Sequence, residues 1–243
     1  MDYKVERLEM KRTILNALIV ALTASVTLAQ SSFEKGLTLA RDQKFREALA
    51  EFQVSLREAE NKTVSGDHLA KIHFNIGVCH YQLKHTEAAA AEFQLAVGLD
   101  VVYEKAFYAL GMAEADRQNW TAAETAFLSA LKIDRKDAEA LFDLSYVYLA
   151  KAEFDKAKTA FEKAVQFGSI DSALAHNNIG VLIARDGDLA GAEAEFRIAL
   201  RLSNGKLEVA RSNLDTCHQI RSMTGKTLAV RLEIGGKKRN FGN

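Results

Sequence analysis

The chain has 243 residues, with 32 basic and 32 acidic side chains and a formal net charge of zero. That balance excludes the broad basic field on which sequence-independent nucleic-acid binding depends. Two cysteines exclude a disulfide-built scaffold, and 48% hydrophobic residues without a single proline point to a packed helical core.

In chain order, the first feature is apolar. Lys11-Arg12 precedes an uncharged run from Thr13 to Ala29, and Gln30-Ser31-Ser32 comes next. A basic start, an apolar middle and small residues at Thr27 and Ala29 predict a secretory signal peptide over 1–29, cut after Ala29. The expected mature chain is exported, to the periplasm or the medium. Met10 opens a stretch that is a complete signal on its own, so Met1 and Met10 are both candidate starts. Two alternatives stand beside this reading. The run is an uncleaved anchor in the inner membrane, in which case membrane contact is confined to 13–29. Or it is the first helix of a helical domain, although it is apolar on every side and a surface helix keeps a wet face.

Next, one spacing recurs five times. A small residue, an Ala twelve positions on and a Phe four further give Gly36/Ala48/Phe52, Gly77/Ala89/Phe93, Gly111/Ala123/Phe127, Ser145/Ala157/Phe161 and Gly180/Ala192/Phe196. The steps between copies are 41, 34, 34 and 35 residues. Another small residue stands three after each Phe, at Ser55, Ala96, Ala130, Ala164 and Ala199, on the same helical face. A period near 34 with this pattern predicts stacked helix–turn–helix units, none of which can bury its apolar side alone. The units fall at about 29–60, 70–103, 104–137, 138–172 and 173–207, within one array over 30–222. The turn-rich insertion "NKTVSGDH" accounts for the long first step, and Ser65 or Asp67 is placed to cap the helix after it. Residues 208–221 repeat the first-helix pattern once more without a partner, as an array end requires.

These markers resemble the tetratricopeptide repeat family, best in "YALGMAEADRQNWTAAETAFLSALKID" and "HNNIGVLIARDGDLAGAEAEFRIALRL". Two departures are visible. The family's proline after the second helix is replaced by Val101, Arg135, Ser169 and Asn204, and its fourth-position aromatic by His73, Phe107, Leu141 and His176. Asp100, Asp134, Gly168 and Asn204-Gly205 serve as helix stops instead. The resemblance implies an all-α, right-handed superhelical solenoid of five helix pairs plus a capping helix, its first helices lining a concave face.

On that face the same resemblance places the candidate site. Phe74, Tyr108, Phe142 and Tyr146, with Met112, form an apolar stripe, and Asn75, Asn178 and Asn213 a broken row of amides. Aromatics give large contact area, and a carboxamide can donate and accept at once, which suits the main chain of an extended peptide. A shift of helix phase by one residue would turn the same aromatics into ordinary packing between units. The carboxylate clamp of cochaperones in this family is incomplete: Asn75 and Lys105 match, whereas Phe33, Leu37 and Ala109 stand at the other positions.

The tail, 223–243, breaks the pattern. Leu228, Val230, Leu232 and Ile234 alternate with Thr227, Ala229, Arg231 and Glu233, the period of a strand, before Gly235-Gly236 and a basic "KKR". It is either a mobile tail or a strand that pairs with a partner or folds back on the array.

No metal, cofactor or nucleophile pattern is present. His73 and His80 are seven apart on one helix, too distant for one metal. Cys79 and Cys217 are expected as small core residues in distant units. The sequence therefore predicts a non-catalytic scaffold without cofactor or nucleic acid, holding a protein or peptide segment in its groove. The competing expectation is a structural module whose groove is filled by its own tail or a second copy.

Overall fold

The computed structural model describes residues 32–60, 64–222 and 234–235. The signal-like run and most of the alternating tail lie outside these residues. Among the described residues every regular element is a helix. They form two compact units, one up to Val101 and one from Val102. The first holds α1 (32–41), α2 (Phe45–Glu60), α3 (Gly66–Gln82) and α4 (Thr86–Leu99). The second holds α5 (Glu104–Asp116), α6 (Trp120–Ile133), α7 (Ala138–Ala150), α8 (Phe154–Gln166), α9 (Ser172–Arg185), α10 (Leu189–Leu202) and α11 (Glu208–Ser222).

The recurring small residue and Phe make the helix pairs. A Cβ on Gly36 would lie 2.6 Å from the ring of Phe52, and one on Gly77 2.7 Å from Phe93. Gly111 and Phe127 repeat the fit at 2.8 Å, Gly180 and Phe196 at 2.7 Å. Each ring thus lies directly on the main chain of the first helix. Phe52, Phe93, Phe127, Phe161 and Phe196 are all fully buried. In the fourth copy Ser145 replaces glycine and turns its hydroxyl back onto the carbonyl of Phe142. Burying one such ring stabilises the fold by about 2–3 kcal/mol.

Each first helix closes in the same way. Gln43, Lys84, Gln118, Ala152 and Gly187 all take positive φ in the joint between the two helices of a pair. At α5, for example, the Gln118 N–H donates to Ala115 at 3.0 Å and Asn119 to Glu114 at 2.9 Å, the two bonds of a Schellman closure. Second helices end where the sequence indicates. Asp100 and Asp134 are the extended caps of α4 and α6, and Gly168, Asn204 and Gly205 take positive φ after α8 and α10. Ser65 stands at the start of α3 without a side-chain capping bond, whereas Asp137 accepts from both Glu139 and Ala140 at the start of α7.

In the second unit, every second helix packs between two first helices. The last contact is pinned by charge. Glu193, buried on α10, accepts from Arg221 of α11 at 2.9 Å, with Arg197 at 3.3 Å and His218 at 3.4 Å. The Arg221 hydrogen bond is the main reason its carboxyl is held below the usual range. Cys79 and Cys217 are buried and unbridged, and burial pushes the Cys79 thiol up to about 12.

Candidate functional site

In the second unit, successive first helices bring polar side chains to one face. Asn213 on α11 donates its Nδ2 to Asn177 Oδ1 of α9 at 2.9 Å. Asn177 Nδ2 donates in turn to Asn178 Oδ1 at 3.0 Å. Asn178 Nδ2 then donates to the hydroxyl of Tyr146 on α7 at 2.9 Å. All three amides are fully buried. The Tyr146 ring is set by two edge contacts, with Phe142 at 5.3 Å and Phe161 at 5.4 Å between centroids.

This row ends on main chain. Asn178 Oδ1 accepts the Gly235 N–H at 2.8 Å, and Asn178 Nδ2 donates to the Gly235 carbonyl at 3.1 Å. The Tyr146 hydroxyl donates to the same carbonyl. Both lone pairs of the Asn178 oxygen and both hydrogens of its nitrogen are therefore used, half on the protein's scaffold and half on Gly235. One amide reads the N–H and C=O of a single residue. Gly235 itself is buried.

One repeat earlier the same face carries an ionisable pair. The Tyr108 hydroxyl donates to Asp143 Oδ2 at 2.7 Å. Burial, with the Asp143 carboxylate beside it, drives the Tyr108 hydroxyl well above the ordinary tyrosine range. Asp143, Asn178 and Asn213 succeed one another at 35-residue steps on α7, α9 and α11.

The model of the tetratricopeptide repeat family matches residues 33–100, 108–169 and 148–206, more than half of the chain. The chain belongs to the tetratricopeptide repeat family. No curated protein sequence matches it. Among solved structures it is similar to a MamA crystal structure, at 23% identity over 71% of this chain and 96% of that one, with a TM-score of 0.63. MamA from Desulfovibrio magneticus RS-1 gives 18% identity, coverage of 74% and 97%, and a TM-score of 0.65. YrrB, described as a tetratricopeptide repeat protein with an unusual peptide-binding site, gives 18% identity, coverage of 81% and 96%, and a TM-score of 0.66. The shared fold is an all-α tetratricopeptide solenoid.

Within this repeat frame the residues expected in the groove divide. Tyr146 and Asn178 meet on Gly235, and Asn213 joins them through Asn177. The fifth-position aromatics instead lean on the marker Phe of their own pair: Phe74 on Phe93 at 5.8 Å, Tyr108 on Phe127 at 5.8 Å and Phe142 on Phe161 at 5.6 Å. Phe142 and Met112 are buried within that packing. In the first unit, Asn75 donates its Nδ2 back to the Lys71 carbonyl of its own helix at 2.7 Å.

Two features escape the sequence reading. Asn177 joins the amide row from a position that carries an aromatic in the other units; that substitution was its only mark. His73 and His176, at the family's aromatic position, place Nδ1 at 2.7 Å from Glu92 and 2.6 Å from Glu195. Each thereby ties a first helix to the second helix of its pair. The identical 19-residue offset was readable from the repeat alignment. Among the described residues no group of three His, Cys, Asp or Glu side chains is placed to hold a metal.

Proposed function

We propose that the protein is a non-catalytic interaction scaffold, exported from the cytoplasm, that holds an extended polypeptide segment against its first helices by the segment's main chain. The observation that carries this reading is the double contact of Asn178 with the N–H and C=O of Gly235. A buried amide oriented by neighbours on both sides is preorganised for a backbone, and preorganisation lowers the ordering cost of binding. Export rests on the signal-like run over 1–29. A second reading, a module whose groove is filled by its own tail, is favoured by the same contact, since the bound residue belongs to this chain.

Tyr146→Phe tests the first reading. It keeps the ring against Phe142 and Phe161 and removes one donor to the guest carbonyl together with the hydroxyl that accepts from Asn178. Affinity purification of the full chain from fractionated host cells is expected to recover a polypeptide partner outside the cytoplasm. In a chain that also carries Gly235→Val and Gly236→Val, so that its own tail does not compete, Tyr146→Phe lowers recovery of that partner several-fold while circular dichroism is unchanged, as the loss of a guest hydrogen bond of about 1 kcal/mol requires. Undiminished recovery with Tyr146→Phe would remove the groove as the capture site. A chain starting at Met1 in the cytoplasm would remove export.

A further inference from the structure

We infer that the Asn178 clamp selects glycine over branched and larger residues, that Gly235 is its resident occupant in the free chain, and that a partner strand displaces it best with a glycine of its own. The inference rests on the scaffold reading above and names the chemistry of the guest.

The selection is steric. A Cβ on Gly235 would lie 2.5 Å from Leu174 Cδ2, 3.5 Å from Val209 Cγ1 and 3.6 Å from Asn177 Nδ2. Three walls, two from α9 and one from α11, thus close on the position a side chain would take. They differ in stiffness. Leu174 presents the free end of a half-buried side chain and can yield to a methyl. Asn177 cannot, because Asn213 and Asn178 hold it on either side and it is fully buried. Alanine is therefore tolerated at a small cost, and a β-branched residue meets the fixed wall. Glycine is not needed here for conformational reasons, since the φ of Gly235 lies outside the left-handed region. What the site reads is the missing side chain.

The hydrogen bonds reinforce this choice. Asn178 reaches both the N–H and the C=O of one residue at 2.8 and 3.1 Å. A side chain that pushed the guest outward would lengthen both bonds and the Tyr146 contact together. A narrow gap and a two-pronged amide thus report the same feature.

Occupancy by the chain's own tail has a thermodynamic consequence. A tethered guest competes at an effective concentration of order mM. The apparent affinity for an external strand is reduced by the fraction of time the tail is bound. The tail is thus a built-in competitor, and its sequence "LAVRLEIGGKKR", residues 228–239, is the first template for the guest.

The test uses the full chain and a fluorescent peptide of that sequence, read by anisotropy. The second protein is the full chain carrying Gly235→Val and Gly236→Val, so that the neighbouring glycine cannot slip into the clamp. Thermal unfolding confirms that its helices are intact. The variant chain is expected to bind the glycine peptide about tenfold or more tightly than the unaltered chain does. A peptide with valine at both glycines is expected to bind the variant chain about tenfold or more weakly than the glycine peptide. Equal binding of the glycine peptide by both chains would overturn the tail as competitor. Equal binding of both peptides would overturn glycine selection and leave the backbone clamp standing. No binding of either peptide to the variant would overturn the inference and the groove reading together.

Discussion

Asn75 in the first unit and Asn178 in the second hold the same repeat position and do opposite things. Asn75 turns its amide onto its own helix at Lys71, whereas Asn178 turns outward onto Gly235. The difference lies in the neighbours. Asn178 has a hydroxyl from Tyr146 on one side and an amide from Asn177 on the other. The repeat equivalents around Asn75 are Leu37 and Phe74, neither of which can orient an amide. A residue of the right type at the right repeat position becomes a contact only when a supporting shell fixes its direction.

Three pairs of substitutions break or sharpen this comparison. The largest effect concerns what the two units share. Phe93→Ala and Phe161→Ala each remove a fully buried ring and are expected to cost about 3–5 kcal/mol in urea unfolding. Only Phe161→Ala removes a support of Tyr146, so only it should speed hydrogen exchange at the Gly235 amide. Faster exchange with Phe93→Ala as well would show that the site is not local to the second unit.

The next effect concerns the amides themselves. Asn178→Ala strips Asn177 of its acceptor in a buried position and is expected to destabilise by about 1–3 kcal/mol. Asn75→Ala, at a partly exposed site, is expected to stay within about 0.5 kcal/mol of the parent. Equal losses would dissolve the distinction between the two amides.

The smallest effect should be the same in both units. Lys84 and Ala152 close α3 and α7 at φ 66° and 57°, a conformation that costs a non-glycine residue about 1–2 kcal/mol. Lys84→Gly and Ala152→Gly are each expected to stabilise by about 0.5–1 kcal/mol, the gain being offset in part by the looser unfolded chain. A gain at one joint alone would mean that the joints are not equivalent.

The repeat frame was legible because it is written in volume. Glycine, alanine and phenylalanine at fixed offsets leave few ways to stack two helices, and Gly36 to Phe196 report this without any long-range information. Ends of second helices were legible for the same local reason, at Gly168 and Asn204-Gly205. Ends of first helices were not, because Gln43, Lys84, Gln118 and Ala152 adopt the left-handed turn without the glycine that announces it. The site was half legible. Amides at 178 and 213 stood out by spacing, but the direction of an amide depends on groups from three helices. The partner of Asn178 lies 57 residues away at Gly235, a separation no local pattern encodes.

The amide row also has a polarity. Hydrogens are passed in one sense only, from Asn213 to Asn177 to Asn178, so the oxygen of Asn178 cannot exchange places with its nitrogen without breaking the row. A strand entering backwards would bring its N–H against the Asn178 –NH2 and its carbonyl against the Asn178 oxygen. The proposed groove therefore has a reading direction, and a reversed copy of a guest that fits it is expected to be refused.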